Sequence, residues 1–217
     1  MSGFVIAVDG PAASGKGTIA AQLGRDYGLP VLDTGLLYRA VGVTLARQGG
    51  VLGDEAAATA VAQRLDPAAL DDPAFRTRAA GEAASRVAPY PGVRAALRAF
   101  QRAFARQPGG AVIDGRDIGT VIAPDAPAKL YVTASPEARA HRRLLQLQAA
   151  GETVTYDEIL ADIRVRDARD AGRADSPMRP APDAVLLDTT EMSISAAADA
   201  ARRIVGQARG RWERSRG

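Results

Sequence analysis

The chain has 217 residues, a formal net charge of +3 and no cysteine, and its 47% hydrophobic and 24% charged residues are typical of a single globular domain. The absence of cysteine excludes disulfides and cysteine–zinc sites. No apolar run is long enough for a membrane helix and no signal-peptide pattern is visible, so we expect a cytoplasmic protein with no membrane partner.

Short apolar runs alternate with helical patterns along most of the chain. The runs predict strands at residues 4–8, 31–33, 111–114, 129–133 and 185–188. Helices are predicted over residues 16–27, from Thr34 as N-cap to about Gln48, over 93–106, after Ser135, from the Thr155 capping box to about Ala171, and after Ser193. Glycines and prolines break the pattern between residues 49 and 92, as expected of an insertion over the core. The alternation predicts an α/β fold with a five-stranded parallel sheet covered by helices.

The segment between the first predicted strand and the first predicted helix is rich in glycine. It reads Gly10-Pro11-Ala12-Ala13-Ser14-Gly15-Lys16-Gly17-Thr18. Its glycines let successive backbone N–H groups face phosphate oxygens, and the helix N-terminus adds partial positive charge. This is the context of a phosphate-binding P-loop, so we expect the whole segment to bind ATP. Lys16 is then placed to bridge the β- and γ-phosphates, and the Thr18 hydroxyl to bind Mg²⁺ directly or through a water.

Gly17 separates the lysine of this loop from the hydroxyl that usually follows it directly. The resulting G-K-G-T form is typical of nucleoside monophosphate kinases, whose acceptor is itself a phosphate. An acceptor phosphate oxygen is already anionic and needs no general base, so His141, the only histidine, is dispensable in such a reaction. Two phosphate groups repel each other, and holding them in line calls for arginines and Mg²⁺.

Arginines and aspartates follow the predicted strands, at the sheet edge where ligands of α/β proteins bind. Arg39 lies in the helix after the second strand, and Arg116 follows the third. Asp33 and Asp114 end the same two strands, either as part of the site or as loop caps. Three arginines are spaced as neighbours on one face of a helix that resembles a mobile lid: Arg166, Arg169 and Arg173. Three others are interpreted as a solvated helix face: Arg139, Arg142 and Arg143.

Taken together, these motifs resemble the bacterial cytidylate kinase family. The resemblance runs through residues of about 4 to 208 and rests on Asp9–Thr18, Leu32–Arg39, Val93–Arg94, Asp114–Asp117, Pro124–Pro127, Arg139–Arg143, Arg166–Arg173 and Asp188–Thr190. It implies a P-loop core at 1–33, 107–150 and 181–217, an enlarged region for the nucleoside monophosphate at 34–106, and a small lid at 151–180. It also implies a monomer that uses ATP and Mg²⁺ to phosphorylate CMP or dCMP.

The resemblance further implies residue roles. The expected catalytic cations are Lys16, Arg39, Arg116, Arg166 and Arg173. The expected CMP-binding residues are Thr34, Tyr38, Arg39, Ser85, Arg94, Asp114, Arg116, Asp117, Arg166, Asp170 and Arg173. Among them, Asp117 and Arg166 are expected to bind sugar hydroxyls, while the cytosine is expected to be read by Ser85, Arg94 and Asp170. A carboxylate suits the exocyclic amine of cytosine, because uracil presents an acceptor at that position.

Two departures from the family pattern lie in these motifs. The phosphate loop reads Pro-Ala-Ala-Ser where Pro-Ser-Gly-Ala is common, so Ala12 and Ala13 must accept the backbone angles of the loop. Thr34 stands where serine is common and keeps the hydroxyl.

Other functions fit the sequence less well. A related P-loop kinase for UMP, shikimate or dephospho-coenzyme A is disfavoured by the Asp114–Asp117 motif and the arginine-rich lid. The chain has no Asn-Lys-x-Asp motif, which a GTPase switch would need to recognise its base. A nucleic-acid partner is disfavoured because aromatic residues make up only 5% of the chain.

Overall fold

The computed structural model describes residues 3–66 and 70–216. Within them, five parallel strands form one sheet in the order β2-β3-β1-β4-β5. The strands are β1 (Phe4–Asp9), β2 (Val31–Asp33), β3 (Gly110–Gly115), β4 (Ala128–Thr133) and β5 (Val185–Asp188). The predicted five-stranded parallel sheet is therefore confirmed, with each strand within one residue of its expected ends.

Helices connect and cover the strands. They are α1 (Lys16–Tyr27), α2 (Thr34–Arg47), α3 (Glu55–Gln63), α4 (Arg78–Val87), α5 (Pro91–Ala105), α6 (Pro136–Ala149), α7 (Tyr156–Ala171) and α8 (Ile194–Arg214). A 3₁₀ turn spans Pro73–Arg76, and a π-helical turn spans Ile118–Ile122 after β3. In the part of the chain that the structure describes, no helix combines the length and apolarity needed to cross a membrane.

The helix starts show how local chemistry sets the element boundaries. The hydroxyl of Ser135 accepts from the Ala138 N–H at 3.1 Å, and Thr155 and Glu158 form the predicted capping box. The predicted cap of α2 is wrong by one residue. Asp33 is the N-cap, because its backbone is extended and its carboxylate accepts from the Gly35 N–H at 2.9 Å.

The segment between residues 49 and 92 holds more regular structure than its sequence pattern indicates. Both α3 and α4 lie in it, built largely from alanine, which forms helices well but carries little hydrophobic contrast. They pack on α2 and α5 around an apolar cluster of their own, which includes Leu37, Val41 and Leu97. The insertion is thus a small helical layer beside the sheet.

The sheet itself is buried on both faces. Ile6, Ala7 and Val8 of the central strand are fully buried. The α1 and α8 helices cover one face, and α5 with the π-helical turn covers the other. Burial of this kind explains the continuous apolar runs, because a strand covered on both sides has no polar face.

The parallel arrangement brings the carboxyl ends of three strands to one edge. Asp9 ends β1, Asp33 ends β2, and Asp114 lies next to the end of β3. The strands are in register there, with Asp9 opposite Gly115 and Asp33 opposite Asp114. Ligands of open α/β sheets bind at this edge, so it is the place to look for a site.

Candidate active site

The loop between β1 and α1 has the geometry of an anion cradle. Gly10 has φ 149°, and a methyl group on its α-carbon would lie 1.9 Å from the Val132 carbonyl oxygen, so no other residue fits. Gly15 is the N-cap of α1 and has no side chain to cap the first helical N–H groups. Those N–H groups and the helix dipole are therefore available to phosphate oxygens.

The two alanines of the loop differ in conformation. Ala13 has φ 59°, in the left-handed region, whereas Ala12 is not among the residues with positive φ. The prediction that both alanines must accept unusual angles thus applies to Ala13 alone. A left-handed alanine costs roughly 1 kcal/mol relative to glycine, so this loop is held in place by its surroundings.

Lys16 and Asp114 form a buried pair beneath the loop. The Lys16 Nζ lies 3.6 Å from Asp114 Oδ1, and the side chains are 12% and 4% exposed. Burial, with repulsion from Arg116, lowers the pKa of Lys16 to about 8, although Asp114 and Asp33 oppose this. Burial raises the pKa of Asp114 to about 6, against the attraction of Lys16. Both groups are therefore mainly charged at neutral pH.

The carboxylate oxygen that faces Lys16 accepts no hydrogen bond. Asp114 Oδ1 is buried, lies 3.6 Å from Lys16 Nζ, and has no hydrogen-bond partner in the described part of the chain. A methyl group on Gly17 would lie 3.3 Å from Asp114 Oδ2, so the glycine of the G-K-G-T motif leaves room beside this carboxylate. A hard cation such as Mg²⁺ prefers carboxylate and hydroxyl oxygens, and Asp114 with the exposed Thr18 offers both.

A second buried carboxylate, Asp170 in α7, collects arginines. It accepts from Arg116 Nε at 3.1 Å and from Arg173, and Arg166 Nε lies 3.9 Å away. Burial acts to raise the pKa of Asp170, but attraction by these arginines outweighs it and lowers the pKa. Burial and the neighbouring Arg116 lower the pKa of Arg166 to about 10. The structure thus brings together three of the five predicted catalytic cations.

Arg39 joins this cluster from the α2 side. Its Nη1 donates to the carbonyl oxygens of Phe75 and Thr77, at 3.2 and 3.4 Å. A methyl group on Gly81 would lie 3.6 Å from Arg39 Nη2 and 3.7 Å from Arg166 Nη1, so the two guanidiniums meet over that glycine. Nearby, the Thr34 hydroxyl donates to the Asp114 carbonyl oxygen at 2.8 Å.

A separate ion pair lies deeper, between α5 and the loop after β3. Arg94 is 3% exposed, and its Nη2 donates to Asp117 Oδ2 at 2.5 Å. The guanidinium also lies over the ring of Tyr38, 5.8 Å from its centre. The pair offers a donor and an acceptor side by side, next to the arginine cluster.

The ion pairs of the site join residues for which different ligand contacts were expected. Asp117, expected at the sugar, pairs with Arg94, expected at the base, and Asp170 lies beside Arg166. Because α7 ends at Ala171, Arg173 lies beyond the helix, so the predicted common helix face of Arg166, Arg169 and Arg173 is wrong. Arg169 instead donates to the Ser85 hydroxyl, at 2.7 Å.

The interpretation of Arg139 and Arg142 as a solvated face is also wrong. Arg139 is 3% exposed, forms two hydrogen bonds with Asp167, and donates to the Ala12 carbonyl oxygen at 3.2 Å. Arg142 donates to the Thr189 hydroxyl at 3.0 Å. Arg139 thus holds the glycine loop and Arg142 holds the segment after β5. Arg143 bonds only to Gln146 of its own helix among the contacts of the described residues.

Sequence reasoning placed Asp9 in a motif but gave it no role, and the structure shows that it ties the end of β1 to the turn after β3. Its carboxylate accepts from the N–H groups of Ile118 and Gly119, at 2.8 and 2.7 Å. Burial raises the pKa of Asp9 to about 7, although these two bonds oppose the shift. An acid at the end of a buried strand was the available signal, and its partners lie over a hundred positions away.

The sheet order and the glycine loop at the end of its central strand define a P-loop kinase of the α/β class. The family model described as cytidylate kinase matches residues 6–207. The chain therefore belongs to the cytidylate kinase family, as the resemblance implied.

Individual relatives agree with this assignment. The chain is 65% identical to a protein named cytidylate kinase from Caulobacter sp. (strain K31), over 99% of each chain. It is 67% identical to one from Caulobacter vibrioides (strain NA1000 / CB15N), over 96% of this chain and 98% of the relative. A solved structure of an uncharacterized protein from Eubacterium ventriosum shares the fold at a TM-score of 0.54 and 14% identity, covering 92% of this chain and 96% of that one.

The conformation of Ala13 leads to a prediction about stability. We expect Ala13→Gly to raise the free energy of unfolding by about 1 kcal/mol, because glycine adopts φ 59° without steric cost. The matched control Ala12→Gly is expected to lower it by about 0.5–1 kcal/mol, because it only adds freedom to the unfolded chain. Urea denaturation of both variants checks the opposite signs, and equal effects would contradict the strain assigned to Ala13.

The burial of Asp9 leads to a prediction about pH. Its folded pKa of about 7 lies above the ordinary value of 3.8, so the folded protein keeps a proton that the unfolded chain releases between these values. This contribution to stability is complete below pH 3.8 and is lost as the pH rises through about 7.

We therefore expect the free energy of unfolding to fall more between about pH 5 and pH 8 in the unmodified protein than in Asp9→Asn. Urea denaturation at both pH values measures the two slopes. Equal slopes would show that Asp9 does not titrate in this range.

Proposed function

We propose that this chain transfers the γ-phosphoryl group of ATP to CMP or dCMP, forming CDP or dCDP. The observation that carries the proposal is the buried Arg94–Asp117 pair beside an arginine cluster at the carboxyl edge of the sheet. The relatives named cytidylate kinase, at identities up to 67%, support the same reaction.

On the ATP side, residues 10–18 surround the phosphates with backbone N–H groups, and Lys16 bridges the β- and γ-phosphates. The Thr18 hydroxyl and the Asp114 carboxylate would hold Mg²⁺, and the ion would supply positive charge for the phosphates of ATP. The Oδ1 of Asp114, which accepts no hydrogen bond among the described residues, and the room beside Gly17 support this assignment.

On the acceptor side, the arginines neutralise two phosphate groups that would otherwise repel each other. The cations that converge here are Arg39, Arg116, Arg166 and Arg173. They replace a general base, because the attacking oxygen of CMP is already ionised. Fixed charges in a water-poor site stabilise the transition state without reorganising as it forms. Thr34 and Tyr38 border the same space.

The contacts of the two buried carboxylates lead us to revise the expected base reader. Both oxygens of Asp170 are engaged by arginines, so Asp170 positions cations rather than reading a base. Asp117 has one oxygen on Arg94 and is the better acceptor for the exocyclic amine of cytosine, while Arg94 donates to the ring nitrogen or carbonyl. Ser85 and Arg166 then lie at the border between base and sugar.

The division into a core, an acceptor region at 34–106 and a lid at 151–180 is part of this proposal. Separate apolar clusters support it, one around α2, α3 and α5 and another between α6 and α7. Each can move as a small unit when substrates bind. We also propose a monomer in the cytoplasm, in keeping with a chain that lacks cysteine.

ADP release from magnesium-ATP tests the reaction, with CMP, dCMP, UMP, AMP, GMP and shikimate as separate acceptors. Fast release with CMP and dCMP, and little with the others, is the expected result. ADP release with shikimate alone or with UMP alone would mean that this compound, and not CMP or dCMP, is the acceptor. Folded protein that binds ATP and releases no ADP with CMP or dCMP would refute the proposal.

Two variants separate the carboxylate roles. We expect Asp117→Asn to cut the CMP-to-UMP ratio of kcat/KM by about 5- to 150-fold, because it removes the acceptor for the cytosine amine. The matched variant Asp170→Asn should lower kcat/KM for both acceptors to a similar extent and preserve their ratio. A lower ratio in Asp170→Asn together with an unchanged ratio in Asp117→Asn would mean that Asp170 recognises the cytosine.

A further inference from the structure

The segment that follows α7 places a carboxylate beside Arg94. Asp175 Oδ2 lies 3.1 Å from Arg98 Nη2 and 3.7 Å from Arg94 Nε. Arg94 and Arg98 lie one helical turn apart on α5, so one carboxylate from the proposed lid spans both. None of the motifs found in the sequence includes Asp175.

The local structure holds Asp175 in this position. Ser176, with φ 55°, donates its hydroxyl to Asp175 Oδ1 at 2.7 Å. The Met178 N–H donates to the Asp170 carbonyl oxygen at 3.0 Å, which folds the segment back along the end of α7. The Ser176 hydrogen bond, followed by the charges of Arg94 and Arg98, lowers the pKa of Asp175. Asp175 is therefore an anion at neutral pH.

One N–H group of Arg94 lacks a hydrogen-bond partner among the described residues. Its Nη2 bonds to Asp117 and its Nη1 to the Ala88 carbonyl oxygen, but its Nε is buried and has no hydrogen-bond partner among the described residues. A buried N–H without a partner is unfavourable, and a nearby anion reduces that penalty. Asp175 lies beside this atom, with its Oδ2 3.7 Å from Arg94 Nε.

We propose that Asp175 is a positioning residue for acceptor recognition, which orients the guanidinium of Arg94 when the lid lies over the acceptor region. The inference rests on the proposed function, because it assigns Arg94 to the pyrimidine base. Asp117 holds the guanidinium from the core and Asp175 holds it from the lid. Base recognition then depends on lid position, and a cytosine that fits Arg94 stabilises the same closed arrangement.

The chain offers a matched control on the same lid. Asp162 of α7 pairs with Arg78 of α4 at 2.5 Å, which also joins the lid to the acceptor region. Both side chains of that pair are well exposed, at 58% and 39%. Neither residue contacts Arg94 in the described structure, so loss of this pair affects closure in general without disturbing the base reader.

Steady-state kinetics with CMP and UMP test the proposal on the full chain. We expect Asp175→Asn to raise KM for CMP about tenfold and to lower the CMP-to-UMP ratio of kcat/KM, with KM for ATP unchanged. Asp175→Glu, which keeps the charge, should recover most of the ratio. Asp162→Asn should leave the ratio as in the unmodified protein.

The outcomes separate this inference from the function on which it rests. Unmodified protein that does not use CMP refutes the proposed function and the inference with it. Unmodified protein that prefers CMP, together with an unchanged ratio in Asp175→Asn, refutes the inference alone. An equal decrease in the CMP-to-UMP ratio in Asp162→Asn also refutes it, because any contact between α7 and the acceptor region would then explain the effect. If Asp175→Asn does not fold, Ser176→Ala decides, with about a threefold lower ratio expected and an unchanged ratio counting against the inference.

Discussion

Repulsion between buried cations is the constraint on which this site depends. Arg116 and Arg166 both act to lower the pKa of Lys16, Arg116 also acts to lower the pKa of Arg166, and all three side chains are largely withdrawn from water. Such a group of charges cannot be packed by apolar contacts alone, because desolvation and repulsion act in the same direction. The fold meets this constraint by placing buried carboxylates among the cations, each carried by a different element.

The placement of these carboxylates explains the architecture around them. Asp114 comes from the end of β3 and Asp170 from α7, while Asp117 follows β3 at a distance of three residues from Asp114. Asp114 pairs with Lys16 of α1, Asp117 with Arg94 of α5, and Asp170 with Arg116 from the loop after β3. The sheet edge thus fixes one set of charges, and α5 and α7 bring the others to it. The same carboxylates therefore position the cations and balance their charge.

Much of this arrangement could be predicted from the sequence, and the missing part has a clear cause. Strands buried on both faces and capped helix starts leave local signals, and the glycine loop was located from its context alone. Pairing across the chain leaves no such signal: nothing local shows that Asp117 bonds to Arg94. Arg139 was misjudged for the same reason, because its partners Asp167 and Ala12 are remote in sequence.

The site is built from one lysine and several arginines, and the two residue types respond differently to alkali. Lys16, with a pKa of about 8, begins to lose its charge just above neutrality, whereas Arg166 keeps its charge to a pKa of about 10. As the medium becomes basic, Lys16 beneath the glycine loop loses its charge first, and the arginines around Asp170 remain cationic. The difference in charge between the two groups therefore depends on pH, because one is built on lysine and the other on arginine.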